Sequence, residues 1–111
     1  MGALSEFVEK EFGVKTNTKI NPITDTVETS ATQILKNNPD RLAAIIINLG
    51  INPIYVSPYA DVSRFKGIRI GPNGGSLILN AKEDLELVGY EWWAVAETSS
   101  CKVFIMEVEA E

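Results

Sequence analysis

The hydrophobic pattern of residues 42–108 consists of short runs rich in β-branched side chains, separated by glycine, proline and asparagine. Runs of this kind, with a turn about every 8–12 residues, are typical of two antiparallel sheets packed face to face. The pattern predicts an all-β fold, an antiparallel β-sandwich or jelly-roll-like barrel of about seven or eight strands. The candidate strands are 42–48, 54–57, 67–70, 76–81, 85–88, 91–97 and 102–108.

Glycine and proline between these runs predict where the chain turns. Gly50 suits the left-handed conformation that ends a strand, and Pro53 suits the start of the next one. Residues 42–57 are therefore predicted to form a hairpin or a sheet corner. The Pro-Asn-Gly-Gly sequence at residues 72–75 supplies the positive-φ positions of a tight turn. Residues 98–100 are predicted to join the last two strands as an antiparallel hairpin.

The pattern of the first residues differs from that of the rest. Over residues 3–12, Leu4, Phe7 and Phe12 recur at helical spacing, and Gly13 follows where a glycine commonly ends a helix. A helix of about ten residues is marginal alone in water, so this one needs a surface that buries its apolar face. That surface is either the β-core of its own chain or a neighbouring subunit.

Residues 14–26 are polar and contain the turn sequence Asn21-Pro22, which favours a linker. Residues 27–35 alternate loosely and are predicted to form an edge strand with threonines facing water. The chain is accordingly divided into a helix and linker, or arm, over residues 1–26 and a β-sandwich domain over residues 27–111.

Several predicted strands are apolar on both faces, which is unusual for a sheet with one side in water. Residues 44–47, 92–96 and 103–106 run without a polar break, whereas a half-solvated strand alternates. Either these strands are covered on both sides within the domain, or one outer face meets another chain. The second reading favours oligomerisation or docking on a larger assembly.

Composition excludes many kinds of chemistry. The 111 residues carry a net charge of −5 without a basic cluster, which disfavours nucleic acid as a partner. No apolar run is long enough to predict a membrane span. The chain has no histidine, which removes histidine-based metal sites, catalytic triads and proton shuttles. Its one cysteine, Cys101, cannot form an intramolecular disulfide and fits a reducing compartment.

The remaining candidate groups predict no catalytic, cofactor-binding or metal-binding residue. Cys101 next to Lys102 is a weak nucleophile candidate and a better candidate for a small core residue. Glu107, Glu109 and Glu111 alternate along the last strand and are predicted to share one exposed face. We therefore expect no enzymatic activity and no cofactor.

Aromatic residues are the most suggestive binding candidates. Because neighbouring strand residues point to opposite faces, one of Trp92 and Trp93 is expected in the core and the other on the second face. The loop after residue 57 adds Tyr59, Arg64 and Phe65, a composition that suits a contact surface or the stacking of a sugar. The candidate interface residues are Leu4, Phe7, Phe12, Tyr59, Arg64, Phe65, Trp92 and Trp93.

Two family resemblances can be stated. GIRIGPNGG at residues 67–75 resembles the Pro-Gly turns of cupin barrels, whose catalytic metal is held by histidines that this chain lacks. Residues 41–80, RLAAIIINLGINPIYVSPYADVSRFKGIRIGPNGGSLILN, followed by WWAVAETSSCKVFIMEV at residues 92–108, resemble small β-domains of tailed-phage structural proteins. The shared pieces are residues 48–56, 67–75, 93–96 and 107–108, all of them scaffold positions.

The second resemblance implies a non-enzymatic virion protein, made in the host cytoplasm. It would be a capsid decoration or cementing protein, or a head-fibre or minor head-tail protein, whose partners are other virion proteins and copies of itself. Two alternatives remain. One is a carbohydrate-binding module that uses Trp92 or Trp93 with Tyr59, and the other is a histidine-free, cupin-like binder of a small molecule.

Overall fold

The structure is a computed structural model, and it describes residues 16–80 and 88–110. These residues form nine strands and no α-helix. The helix predicted over residues 3–12 lies outside the described residues, as do residues 85–87 of the strand predicted at 85–88. The strands are β1 Thr16–Ile20, β2 Thr26–Val27, β3 Thr32–Leu35, β4 Arg41–Asn48, β5 Ile54–Ser57, β6 Ile68–Ile70, β7 Gly75–Asn80, β8 Trp92–Ala96 and β9 Cys101–Ala110.

The strands form two antiparallel sheets that face each other, so the predicted all-β sandwich is confirmed. Sheet I has the order β1-β9-β4-β7, and β2 also pairs with β9. Sheet II has the order β3-β8-β5-β6. The last strand, β9, is ten residues long and pairs with β1, β2 and β4. The first and the last described strands are therefore neighbours at one edge of sheet I.

Most connections pass from one sheet to the other. β4 to β5, β6 to β7 and β8 to β9 each join the two sheets, whereas β5 and β6 form a hairpin within sheet II. The hairpin predicted at residues 98–100 is therefore wrong. The amides of this turn bond to the β4–β5 connection instead of across a ladder: Glu97 N–H donates to Pro53 O at 3.0 Å, and Thr98 N–H donates to Asn52 Oδ1 at 3.1 Å.

The β4–β5 connection is the predicted sheet corner, and two buried asparagines hold it together. The Asn48 amide group donates to Asn52 O at 2.9 Å and to Ile70 O at 3.2 Å, while its Oδ1 accepts from Gly50 N–H at 2.9 Å. Asn52 reaches the β8–β9 turn by donating to Ser99 O and Oγ. The two side chains thus join three turns at one end of the sandwich.

Gly50 serves this corner differently from the prediction. Among the described glycines only Gly74 has a positive φ, so the expected left-handed conformation of Gly50 is wrong. A Cβ atom at Gly50 would lie 2.6 Å from Cys101 Sγ. The close packing at this point therefore requires a residue without a side chain. The predicted positive-φ turn is confirmed at Asn73 (φ 58°) and Gly74 (φ 105°). Gly74 N–H donates to Asn48 O, which docks this turn on the same corner.

Strand β1 was not predicted, because residues 14–26 were expected to be a linker. Its side chains are mostly polar, and it is held as an edge strand by its ladder to β9. Asn21, at φ 46°, ends the strand by pairing with Ile105: its N–H donates to Ile105 O at 2.7 Å, and its Oδ1 accepts from Ile105 N–H at 2.8 Å. The linker prediction is therefore wrong for β1 and for Thr26 in β2. The edge strand predicted at residues 27–35 is divided into β2 and β3 by the turn between them.

The core lies between the two sheets and is filled by side chains from both. Sheet II contributes only apolar residues to the buried set from its strands, with Trp92 as the largest. Val88, predicted to end a strand, lies in a short 3₁₀ segment and packs into this core. The core side chains are Val27, Ile34, Leu35, Ala44, Ile46, Ile54, Val56, Ile70, Leu79, Val88, Trp92, Ala94, Ala96, Cys101, Val103 and Ile105.

Candidate interaction surface

Of the three doubly apolar segments, residues 44–47 and 103–106 lie on β4 and β9 in the centre of sheet I, and residues 92–96 form β8 of sheet II. Alternate residues of β4 and β9 enter the core, and the intervening residues face away from sheet II. These outward residues, with their neighbours on β1 and β7, are mainly apolar. The outer face of sheet I is defined here as Ile20, Ala43, Ile45, Ile47, Ile78, Phe104, Met106 and Val108.

The register of sheet I aligns these side chains in rows across the strands. Ile20, Met106, Ile45 and Ile78 stand opposite one another along one row, which crosses all four strands. The next row contains Phe104, Ile47 and Ser76. Neither row contains a charged side chain. Directly opposed apolar side chains on neighbouring strands are in contact, so the rows form one continuous surface.

The edges of this surface are open to solvent. Ile20 on the edge strand β1 is 60% exposed, and Ile78 on the edge strand β7 is 61% exposed, while the residues between them are half-buried. Single exposed apolar residues are ordinary on protein surfaces, but a continuous apolar patch marks an interaction site. The outer face of sheet I is the strongest candidate interface in the described part of the chain.

The outer face of sheet II is different in character. Its strands present Gln33, Tyr55, Ser57, Arg69, Trp93 and Val95 in two rows. Glu91 binds two of its neighbours, because its Oε2 accepts from Trp93 Nε1 at 2.9 Å and from Gln33 Nε2 at 3.2 Å. The Tyr55 hydroxyl donates to Glu97 Oε1 at 3.1 Å. This face mixes polar side chains with Tyr55, Trp93 and Val95, and hydrogen bonds join several of them.

The structure separates the two tryptophans as their spacing predicts. Trp92 is 1% exposed and lies in the core, so it is not available as an interface residue. Trp93 is half-buried on the outer face of sheet II, opposite Ser57 of β5. Of the two candidates, only Trp93 can contact a partner or ligand.

The aromatic residues of the β5–β6 loop are the most exposed of the predicted site residues. Phe65 is 84% exposed, Tyr59 is also exposed, and the Arg64 guanidinium stacks on the Phe65 ring at 5.0 Å from its centroid. These three lie on the sheet II side of the sandwich, on the loop that follows β5. Leu4, Phe7 and Phe12 lie outside the described residues. The sequence-predicted site residues therefore do not form one cluster.

Glu107 was predicted to be exposed, and this prediction is wrong, because the residue is buried. Its Oε2 accepts from Arg41 Nε at 2.6 Å, and both side chains are almost completely buried. The same guanidinium donates to the carbonyls of Lys36, Val88 and Tyr90. A buried charge needs such partners, and here they join β4 and β9 to two loops.

Beside this pair, Glu109 lies at the mouth of a polar groove. The carboxylate of Glu109 binds Lys19 Nζ at 2.9 Å and accepts from Asn38 Nδ2 at 2.6 Å. The hydrogen bond from Lys19, and then that from Asn38, lowers the pKa of Glu109. The same hydrogen bond raises the pKa of Lys19. The groove has a volume of about 620 Å³, and its lining is mostly polar, including Lys36 and Asn37, with Ile20 and Pro22 as its apolar residues.

A second, smaller cavity of about 320 Å³ lies beside Tyr55, under the loop that carries Val62 and Arg64. Arg41 and Glu107 line the first cavity, and Tyr55, Val95 and Ala96 line the second. Cys101 is buried at the start of β9 and donates to Asn52 O. Within residues 16–80 and 88–110, no group of acidic or cysteine side chains is placed to hold a metal ion. No helix in that part of the chain is long and apolar enough to cross a membrane.

Comparison with known proteins gives a likeness of fold only. No protein-family model matches the chain, and no curated protein matches it. Two of the similar solved structures have TM-scores too low to support an argument. One is a cupin superfamily protein from Desulfitobacterium hafniense (TM-score 0.38, 9% identity, covering 88% of this chain and 68% of that one). The other is dTDP-4-dehydrorhamnose 3,5-epimerase from Bacillus anthracis (TM-score 0.35, 15% identity, covering 95% and 60%).

A third solved structure is more similar. It belongs to the Bacillus endospore appendages, which are described as a family of disulfide-linked pili. The superposition has a TM-score of 0.53 at 11% identity and covers 87% of each chain. At this identity the likeness concerns the fold, and it agrees with the part of the tailed-phage resemblance that implies a small β-domain. The chain thus has the fold of a small β-sandwich domain.

Proposed function

We propose that this protein is a non-enzymatic structural subunit that assembles with copies of itself through the outer face of sheet I. The observation that carries the proposal is the row Ile20, Met106, Ile45 and Ile78, which crosses the whole sheet without a charged residue. Burying this surface against a neighbour removes apolar area from water at about 25 cal/mol per Å². Closed symmetry would bury the same face in every copy.

The finer proposal is a virion component, a capsid decoration or cementing protein or a head-associated protein. The tailed-phage resemblance supports it, and so does the nested strand order of the two sheets, because jelly rolls with two such sheets are common in viral capsid domains. The likeness to a pilus protein supports the broader proposal of a repeating assembly. We do not propose disulfide bonds between copies of this chain, because its one cysteine is buried.

Solution mass tests the proposal. Light scattering of the full chain over a range of concentrations is expected to give a multiple of the 12.2 kDa subunit mass. Raising the salt concentration is expected to preserve the assembly, because the contact is apolar and is not screened. A mass of one subunit at every concentration would contradict self-assembly. In that case the virion proposal would stand only if the chain copurified with a different structural protein.

Carbohydrate binding remains a second candidate, because Trp93 is on an outer face next to Ser57, two residues before the exposed Tyr59. Titration of the tryptophan fluorescence with a panel of glycans tests it. A saturable change that is lost in Trp93→Ala would support a glycan site. No change across the panel would contradict it.

A further inference from the structure

Strand β7 forms an edge of sheet I, and in the described part of the chain no strand pairs with its far side. An edge strand presents a row of backbone N–H and C=O groups that can pair with a strand of another chain. Natural proteins usually protect such edges with charged side chains, proline, a β-bulge or a very short strand. The edges of this sandwich differ in the protection that they carry.

Each of the other edge strands is protected in one of these ways. β1 carries Lys19, whose Nζ binds Glu109, and β2 on the same side of β9 is only two residues long. β6, an edge of sheet II, has three residues and carries Arg69. At β3, the other edge of sheet II, a register shift between Gln33 and Leu35 interrupts the strand. Pairing with another chain is disfavoured along these strands.

β7 has none of these protections. Its sequence over residues 75–80, Gly-Ser-Leu-Ile-Leu-Asn, contains no charged residue and no proline. All six residues pair with β4 in one unbroken register, so the strand is regular along its whole length. Ser76 and Ile78 are exposed to solvent. Among the described edge strands, β7 is therefore the best suited to pair with a strand of another molecule.

The strand that complements β7 best is a second copy of β7. Opposed residues of an antiparallel pair place their side chains on the same face. When Ile78 lies opposite Ile78 of the copy, Leu77 lies opposite Leu79. In the same register Ser76 lies opposite Asn80, so apolar residues oppose apolar ones and polar residues oppose polar ones. Centring the pair on Leu77 would instead place Ser76 opposite Ile78.

We infer that two copies of this chain pair antiparallel along β7, with Ile78 on the two-fold axis, and thereby join their two copies of sheet I into one continuous sheet. The row Ile20, Met106, Ile45 and Ile78 then continues across both copies, so the apolar outer face doubles in width. The inference rests on the proposed self-assembly and adds an edge contact to it, since the doubled outer face remains available for further copies. Two-fold pairing is the commonest symmetry of homo-oligomers.

Disulfide trapping in the full chain tests the inference. Ile78→Cys places two thiols opposite each other on the axis, where opposed Cα atoms are about 4.5–5.5 Å apart, a separation that a disulfide spans. The matched control is Ile20→Cys, which lies in the same row at the other edge and is equally exposed, at 60% against 61%. Mild oxidation is expected to give several-fold more covalent dimer from Ile78→Cys than from Ile20→Cys. Native Cys101 is buried and does not interfere.

Light scattering of the same samples before oxidation separates the failure of this inference from the failure of the proposed function. If Ile78→Cys assembles without forming covalent dimers, or if the two variants give equal dimer yields, pairing along β7 is overturned and the proposed assembly through the outer face stands. A single-subunit mass for the wild-type chain at every concentration would overturn both.

Amide hydrogen exchange of the wild-type chain is a second measurement, which needs no substitution. Pairing along β7 is expected to slow the exchange of residues 75–80 several-fold in the assembled protein relative to the diluted single subunit. β1, at the opposite edge of the same sheet, is the internal control and is expected to keep its exchange rates. Contact through the outer face alone would affect the two edges alike. Equal slowing at both edges, or no slowing in β7, would overturn the inference.

Discussion

The two sheets of this protein distribute polar and apolar side chains in opposite ways. Sheet I buries Arg41, Asn48 and Glu107 on its inner face and carries an apolar outer face. The strands of sheet II bury only apolar side chains on their inner face, and their outer face includes Gln33 and Arg69. The outer face of sheet II is therefore the more polar of the two outer faces.

This difference indicates that the two sheets have different structural roles. The buried polar groups of sheet I are satisfied by loops at both ends of the sandwich, so they join the sheet to the rest of the domain. Its apolar outer face is suited to contacts with groups that lie outside the sheet. Sheet II supplies most of the large core side chains, and its outer face carries polar side chains that are joined by hydrogen bonds. The following predictions test this comparison.

The largest effect is expected at Trp92, on the inner face of sheet II. Trp92→Ala leaves a cavity in the core, and we expect it to lower the free energy of unfolding by about 3–5 kcal/mol. Trp93→Ala, the next residue on the same strand, removes a half-buried side chain and is expected to lower it by about 1 kcal/mol. Urea unfolding measures both values. Equal losses would contradict the assignment of inner and outer faces.

Next in size is the buried ion pair of sheet I. Arg41→Met leaves the buried Glu107 without its partner, and we expect a loss of about 3–4 kcal/mol of unfolding free energy. Adding Glu107→Leu is expected to recover part of this loss, because the unpaired charge is removed. The recovery is incomplete, since the carbonyls of Lys36, Val88 and Tyr90 remain without their donor. A further loss in the double variant would contradict this account.

Asn48 tests the polar group at the opposite end of sheet I. Asn48→Ala removes the donors to Asn52 O and Ile70 O, and we expect a loss of about 2 kcal/mol in the same unfolding measurement. Asn37→Ala, in the exposed turn before β4, is the matched control and should change the unfolding free energy by less than about 0.5 kcal/mol. If the two substitutions had similar effects, the corner would not depend on the buried amide.

The smallest expected effect is the pH dependence at the polar edge of sheet I. The pKa of Glu109 is lower in the folded state than in the unfolded state, because Lys19 and Asn38 donate hydrogen bonds to its carboxylate. Its contribution is therefore present above the unfolded-state pKa, about 4.3, and is lost as the pH falls through the folded-state pKa. Unfolding measured from pH 7 to pH 3 should show a weaker acid dependence in Glu109→Gln. An unchanged slope, equal to that of the exposed Glu28→Gln control, would contradict this contribution.

Much of the fold could be predicted from the sequence, because its strands carry the signal in their side chains. The pattern of residues 54–57 matches β5, and that of residues 42–48 matches β4 to within one residue. Both are apolar runs bounded by glycine or proline. β1 lacks such a pattern, because it is held by backbone pairing with β9. Backbone pairing at a sheet edge requires no particular side chains, so the sequence does not indicate it.

Long-range partners could not be predicted in the same way. Arg41 and Glu107 are 66 positions apart, and neither neighbourhood in the sequence indicates that the two charges are buried together. The order of strands in the two sheets also depends on partners that are distant in the sequence. For this reason the hairpin at residues 98–100 was predicted wrongly. The candidate surface was partly predictable, because the lack of alternation at residues 44–47 and 103–106 indicated a second apolar face.

The central claim is that the outer face of sheet I is the assembly surface, and a pair of lysine substitutions tests it most directly. Ile78→Lys places a charge on this face, and Ile68→Lys places one at an exposed isoleucine on β6, the edge strand of sheet II. Both sites are solvent-exposed, so both variants should fold. We predict that light scattering gives the mass of a single subunit for Ile78→Lys and the wild-type assembly mass for Ile68→Lys. An unchanged assembly in Ile78→Lys, or equal disruption by both substitutions, would contradict the claim.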